Sequence, residues 1–167
     1  VLGPEMRSTG EVLGMAPTFG LAYFKSQEAA LSPLPQQGTV FISVTDKDKP
    51  AILDTARKFQ ELGFRIKATN GTYKFLTQQG VKAELSHKIH ENQRPNIADE
   101  IKSKEIQLII NTPIGKASAV DDAYIRKAAI KYKVPYMTTA AAAHAAVLGI
   151  AESRAGKAGV KSLQSYH

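Results

Sequence analysis

Groups able to donate to an anion recur at intervals along this chain: Lys47 and Lys49, Thr69-Asn70-Gly71-Thr72, His87-Lys88, Asn111-Thr112 and Thr138-Thr139. Hydroxyls, amides and ammonium groups all present N–H or O–H bonds, which suits phosphate or carboxylate. Acidic residues enter this set only at Asp46 and Asp48. Two ammonium groups beside one phosphate would each contribute roughly 4 kcal/mol at an intermediate dielectric, before desolvation is subtracted. Each residue also has an ordinary explanation. Thr69, Thr72, Thr112 and Thr138 stand where helix N-caps belong, and threonine is favoured there. Lys47, Lys49 and Lys88 taken alone are solvated charges. Asn70-Gly71 is a turn signal for hairpins as well as for strand-to-helix elbows, and its flanks favour the elbow.

The elements around these residues give them a common place. Short β-rich runs cover 39–44, 64–68, 81–85, 106–110 and 134–137. Between them lie helical patterns at 50–62, 73–79, 96–103 and 120–132, and a last one from Thr138 through Leu148. The first carries Ile52, Ala56 and Phe59 on one face, and the fourth the spacing Ala123, Ala128, Ile130. Ala140 to Ala143 are expected to pack closely on the sheet. Alternation of this kind predicts βαβ units: a three-layer α/β/α fold with a five-stranded parallel sheet of the Rossmann or flavodoxin-like kind. In such sheets ligands bind at the carboxyl ends of the strands, where the winding reverses. Every donor group named above comes after a strand. Helix N-termini there add unpaired amides and a positive dipole end. The reading is an anion pocket for a phosphate.

Composition narrows the alternatives. At 167 residues, with 43% hydrophobic and 22% charged residues, the chain has an ordinary globular mixture and length for one domain and an appendage. Cysteine is absent, which removes disulfides, thiolate nucleophiles and cysteine-based zinc sites. No apolar run approaches the ~20 residues that span a bilayer, and no secretory signal opens the chain. The first residue is Val1, so the chain is expected to be a piece of something longer. The net charge is +7. Arg7 and Lys25 against Glu5, Glu11 and Glu28 leave residues 1–37 slightly acidic, so the whole positive excess lies in 38–167. Basic residues are scattered, Trp is absent and aromatics make up 7%, which fits a small phosphorylated or carboxylated ligand better than nucleic acid.

The run Leu31 to Gly38, with Pro33 and Pro35, punctuates the chain. Residues 1–37 are expected to form a separate section with a helix over Pro17–Leu31, and 38–167 the α/β domain. His87 and His90 lack further ligands for zinc. Gly10 to Gly14 lacks the spacing and the lysine of a phosphate loop. Glu91 and Asp99 read as a solvated loop face.

The opening segment Leu2-Gly3-Pro4-Glu5-Met6-Arg7-Ser8-Thr9-Gly10-Glu11-Val12-Leu13-Gly14 resembles the one that closes the second synthetase unit of carbamoyl phosphate synthase large chains. The rest of the chain resembles their carboxy-terminal allosteric domain, of methylglyoxal-synthase-like fold. The matching pieces are Ser43-Val44, Ala68 to Thr72, His87 to Glu91 with Arg94-Pro95, Ile109 to Thr112, Tyr132 to Val134, Tyr136 and Thr138-Thr139. The resemblance implies a cytoplasmic, non-catalytic domain that senses a nucleotide, inhibitory uridine monophosphate (UMP) or inosine monophosphate (IMP), at Lys49, Thr69, Thr72, Lys88 and Asn111. Pro113 stands where relatives have a second threonine, which removes a hydroxyl and an N–H, so either Thr112 is expected to substitute or the affinity or nucleotide preference is expected to change. Ornithine is expected near Tyr136 and Thr138, where Met137 replaces a carboxylate. Residues 1–37 would link the domain to the synthetase, bending or stiffening at Gly10, Gly14, Pro33 and Pro35.

The implied parent is a glutamine-hydrolysing ligase of pyrimidine and arginine biosynthesis. It uses ATP with Mg or Mn, has a small glutaminase subunit, and forms oligomers that this fold helps to assemble. No cofactor is implied for this stretch itself. The alternative is a methylglyoxal-synthase-like lyase acting on a triose phosphate. That chemistry needs an Asp in a Gly-Gly-Asp context as general base, whereas the matching loop reads His90-Glu91-Asn92-Gln93-Arg94-Pro95.

Overall fold

The computed structural model describes residues 34–89, 92–112 and 119–158. The opening motif with Gly10 and Gly14, the expected helix over Pro17–Leu31, Pro33, His90, Glu91 and Pro113 lie outside the described residues.

Five strands, β1 (Thr39–Ser43), β2 (Arg65–Ala68), β3 (Glu84–Leu85), β4 (Leu108–Asn111) and β5 (Tyr136–Met137), form a parallel sheet in the order β3-β2-β1-β4-β5. The central strand β1 is buried along its whole length, as a strand covered on both faces must be. The edge strands β3 and β5 pair over two residues each, fewer than the five and four expected, and β3 is exposed along its length. Edge strands of that length offer little ladder to a foreign chain.

Among the described residues the helices are α1 (Lys49–Glu61), α2 (Asn70–Gln78), α3 (Ile97–Lys102), α4 (Ala119–Lys131) and α5 (Ala140–Ala158), with a 3-10 turn at Asp46–Asp48 ahead of α1. Right-handed crossovers take the chain outward from β1 through β2 to β3, then back across to β4 and β5. That reversal places α1 and α2 on one face and α3 and α4 on the other. Side-chain parity agrees: Phe41 of β1 and Ile109 of β4 share a buried cluster with Ile97 and Ile101 of α3 and Ile125 and Ala129 of α4. Ile52, Ala56 and Phe59 of α1 are buried as expected, and the Phe59 ring meets Phe64 edge-on at 5.1 Å. Asn96 starts α3 through a capping box: its side chain accepts from the Asp99 N–H at 3.1 Å while Asp99 accepts from the Asn96 N–H at 2.9 Å.

Three expectations are corrected. Helix α2 begins at Asn70, three residues before the expected Tyr73, because Gly71 is accommodated in the first turn. The buried residues of α4 are Asp121, Ile125 and Ala129, whereas Ala123 and Ile130 are exposed. Spacings of five and two do not return to one side of a helix, while Ile125, Ala129 and Tyr132 at four and seven do. Helix α5 runs ten residues beyond the expected end at Leu148. Of its opening alanines, Ala143 is buried and Ala141 exposed.

Residues 37–144 form one compact unit that contains the entire sheet. Helix α5 starts in that unit and continues from Ala145 into a second, within which the Gln36 side-chain amide donates to Ser153 at 3.2 Å.

Candidate anion site

The carboxyl end of β1 lies between the ends of β2 and β4, and the winding reverses between β1 and β4. Its exit segment, Ser43 to Thr45, is held from both sides. From the β2 side, the Thr69 hydroxyl donates to Ser43 Oγ at 2.8 Å, and Thr72 Oγ1 accepts from the Val44 N–H at 3.1 Å. From the β4 side, Thr112 Oγ1 accepts from the Thr45 N–H at 2.9 Å, and the Thr112 N–H donates to the Ser43 carbonyl at 2.9 Å. Thr69, Thr72 and Thr112 are all buried.

These contacts replace the capping roles that their positions suggested. Thr69 occupies the N-cap position of α2 without a side-chain cap. Thr72 lies within the first turn, and Thr112 precedes α4 by seven residues. At α5 the cap is Thr139, whose Oγ1 accepts from the Ala142 N–H at 3.0 Å, rather than the exposed Thr138.

Above this segment is a cavity of about 320 Å³, lined by Val44, Thr45, Asp46, Lys49, Thr69, Gly71 and Thr72. Lys49 enters from the first turn of α1 and Gly71 from the first turn of α2. They are so close that a Cβ built on Gly71 would meet Lys49 Nζ at 3.3 Å. An ammonium group thus stands at the positive end of α2, two like features that an anion between them would relieve. Lys49 is partnered by Asp46, whose side chain is 95% exposed. The Lys49 side chain is itself only 18% exposed, but a carboxylate so open to water screens the pair to about 1 kcal/mol, so a phosphate can exchange for it. The Thr72 hydroxyl has only a 3.5 Å approach to the Val44 carbonyl for its own proton, too long for a good O–H···O bond, and can turn it toward a ligand.

The structure therefore brings together Lys49, Thr69 and Thr72 of the six residues expected at the phosphate. Lys88, Asn111 and Thr112 are buried at the same sheet edge but do not line this cavity. Lys88 comes after β3, next to His87, which bridges to Asn96 at the start of α3. Asn111 ends β4 in register with Ser43. Its Nδ2 donates to Asp122 at 3.0 Å and to the Tyr136 hydroxyl at 2.9 Å. Its Oδ1 is a buried acceptor without a hydrogen-bond partner among the described residues. Burial raises the Tyr136 hydroxyl above the ordinary tyrosine value, with Asp122 adding to the effect and Asn111 and Arg126 opposing it. The phenol therefore keeps its proton at neutral pH. Met137, in the second expected ligand region, is buried.

Sequence reasoning missed Thr45 and the Asn111–Tyr136–Asp122 cluster. Thr45 was legible as one more hydroxyl in a strand exit. The cluster was not, because Asp122 lies in a helix and Tyr136 in another strand. It also missed the polar tie between β2, the β3 exit and α3, in which the buried Glu100 carboxylate pairs with Lys67 of β2 and accepts from the Ser86 hydroxyl. No three metal-ligating side chains converge among the described residues. No helix among them is long and apolar enough to cross a membrane.

Comparison with known proteins places the chain. It is 54% identical over its full length to the carbamoyl phosphate synthase large chain of Archaeoglobus fulgidus, of which it covers 16%. It is 52% identical over 90% of its length to the carbamoyl phosphate synthase large chain, C-terminal section, of Aquifex aeolicus, covering 28% of that protein. The corresponding section from Methanopyrus kandleri is 54% identical over 90% of the chain, with 28% covered. The chain thus spans about a sixth to just over a quarter of these relatives. A methylglyoxal synthase structure from Elizabethkingia anophelis aligns with a TM-score of 0.49 at 19% identity, covering 68% of this chain and 79% of that one. The family model described as MGS-like domain matches residues 51–138, from α1 to just past β5, so the loops that carry Lys49's neighbours Gly71 and Thr72, together with Lys88 and Asn111, fall inside it. The chain belongs to the MGS-like domain family.

Proposed function

We propose that this chain is the regulatory portion of a carbamoyl phosphate synthase large chain and that it binds a nucleoside monophosphate, UMP or IMP, through its phosphate. It performs no bond chemistry of its own. Effector binding tunes carbamoyl phosphate synthesis for the pyrimidine and arginine pathways by favouring one arrangement of the longer polypeptide over another, with couplings of about 1–3 kcal/mol. The observation that carries the reading is the Lys49 ammonium standing over Gly71 at the N-terminus of α2, in a cavity edged by Thr69 and Thr72. At about 320 Å³ the cavity is at the small end of ligand pockets and suits the phosphate end of such an effector. The Asn111 Oδ1, without a partner among the described residues and across the winding reversal, is an acceptor suited to a ribose hydroxyl. The relatives named above support the parent assignment.

Ornithine binding belongs to the same proposal and rests on Tyr136 and Thr138. So do the synthetase domains and small glutaminase subunit as partners, assembly into oligomers, a cytoplasmic setting, and ATP with Mg or Mn at the synthetase units rather than here.

Calorimetric titration of the chain with UMP and with IMP tests it. Binding of at least one is expected, with a loss of tenfold or more in Lys49→Ala and in Thr72→Ala. Equal affinity in both variants would place the phosphate elsewhere.

A further inference from the structure

The cleft between α3 and α4 shares no residue with the phosphate cavity. It encloses about 290 Å³ and is lined by Ala98 and Lys102 of α3 and by Tyr124, Lys127, Ala128, Lys131 and Tyr132 of α4 and its end. Three of these seven are lysines, two are tyrosines, and no carboxylate is among them. The Lys131 ammonium also lies 5.4 Å from the centre of the Tyr132 ring. Part of this has a structural explanation: Lys102 and Lys131 sit in the last turns of their helices, where the dipole favours cations. Lys127 is not explained in that way, and neither is the apolar surface that continues from the cleft. Val120 is 80% exposed and Tyr124 56%. Val120, Tyr124, Lys127 and Lys131 fall at intervals of four, three and four, so they lie along one side of α4.

We infer that this side of α4, with Lys102 facing it from α3, is a docking surface for an acidic segment of a partner protein, with carboxylates at the lysines and an apolar side chain along Val120 and Tyr124. Charge complementarity selects an anionic occupant, since the lining supplies positive charge and no negative charge. Extent selects a polypeptide over a small molecule: Val120 to Lys131 spans about 17 Å of helix, longer than a 290 Å³ cleft can enclose. Tyrosines are enriched at protein interfaces because they pair a flat apolar ring with a hydroxyl.

The test is an NMR titration of the whole isotope-labelled chain with a twelve-residue peptide alternating glutamate and leucine, with benzoate and inorganic phosphate as separate arms. The peptide is expected to shift the amides of Lys102 and of Val120 through Tyr132. Its affinity should fall at least fivefold in the double variant Lys127→Gln, Lys131→Gln, whose melting temperature reports that the fold is kept. Phosphate should leave these amides unmoved. The inference is overturned if the peptide leaves them unmoved, if the double variant binds it equally well, or if benzoate binds here as tightly as the peptide. Should the double variant melt early, Lys102→Gln provides the same comparison from the opposite wall.

Discussion

Gly71 shows how closely fold and site are fitted at the level of one residue. Its backbone lies in an ordinary helical first turn, so alanine is permitted there, yet a Cβ would come within 3.3 Å of Lys49 Nζ. The ammonium is the far end of a flexible side chain and would yield. Gly71→Ala is therefore expected to raise stability by about 0.5–1 kcal/mol through the less mobile unfolded chain. It should weaken phosphate or UMP binding several-fold, because the displaced ammonium no longer stands at the helix end. Thermal melting and calorimetry on the same variant check the two signs, and a change of the same sign in both would separate Lys49 from the site. That Lys49, Thr69 and Thr72 would meet at one strand-end cavity was legible from their strand-exit positions alone. Their partners were not: a hydroxyl in a loop looks the same whether it caps a helix, as Thr139 does, or braces a neighbouring strand, as Thr112 does.

At the scale of elements, α3 carries two charged ties of different kinds. Inside, Glu100 joins α3 to β2 through Lys67 and to the β3 exit through Ser86. Removing one member of a pair this buried leaves an uncompensated charge, so Glu100→Ala is expected to cost about 3 kcal/mol in urea unfolding. The double variant Lys67→Met, Glu100→Leu should cost clearly less than the single; an equal or larger cost would show that the charges themselves do not matter. Outside, the Asn96 backbone N–H bond to Asp99, aided by Arg94, holds the Asp99 carboxyl below its ordinary value of 3.8. A carboxyl depressed in the folded state stabilises it fully above the unfolded value and loses that contribution as the pH falls through and below 3.8. In Asp99→Asn the acid-induced loss of stability should be smaller over that range, read by circular dichroism; an unchanged profile would assign the acid sensitivity to other carboxyls.

The fold at this scale was legible because strand and helix periods alternate. The α4 face was misread because its alanines fit any side, and β3 was overextended because Val81 is buried at a strand approach without joining the ladder.

Over the whole molecule, ligand binding and folding are linked. An effector that binds only the folded chain adds about 2.7 kcal/mol at a hundredfold excess over its Kd. The melting temperature should therefore rise with UMP or IMP concentration, and this rise should vanish in Lys49→Ala. A rise that persists unchanged in the variant would point to binding away from the cavity. The parallel sheet and its reversal could be reasoned from alternation and from the rule for parallel crossovers. The split of α5 between two compact units could not, since nothing in its alanine-rich sequence marks Ala145 as a boundary.

The residues lining the candidate anion cavity, Val44 to Thr72, come from one stretch running from the end of β1 to the first turn of α2, whereas Asn111, Asp122 and Tyr136 come from the other half of the sheet. A cradle encoded in one short stretch can be inherited, duplicated or recombined as a single cassette. The rest of the crevice is then free to diverge without disturbing the cavity at the exit of β1.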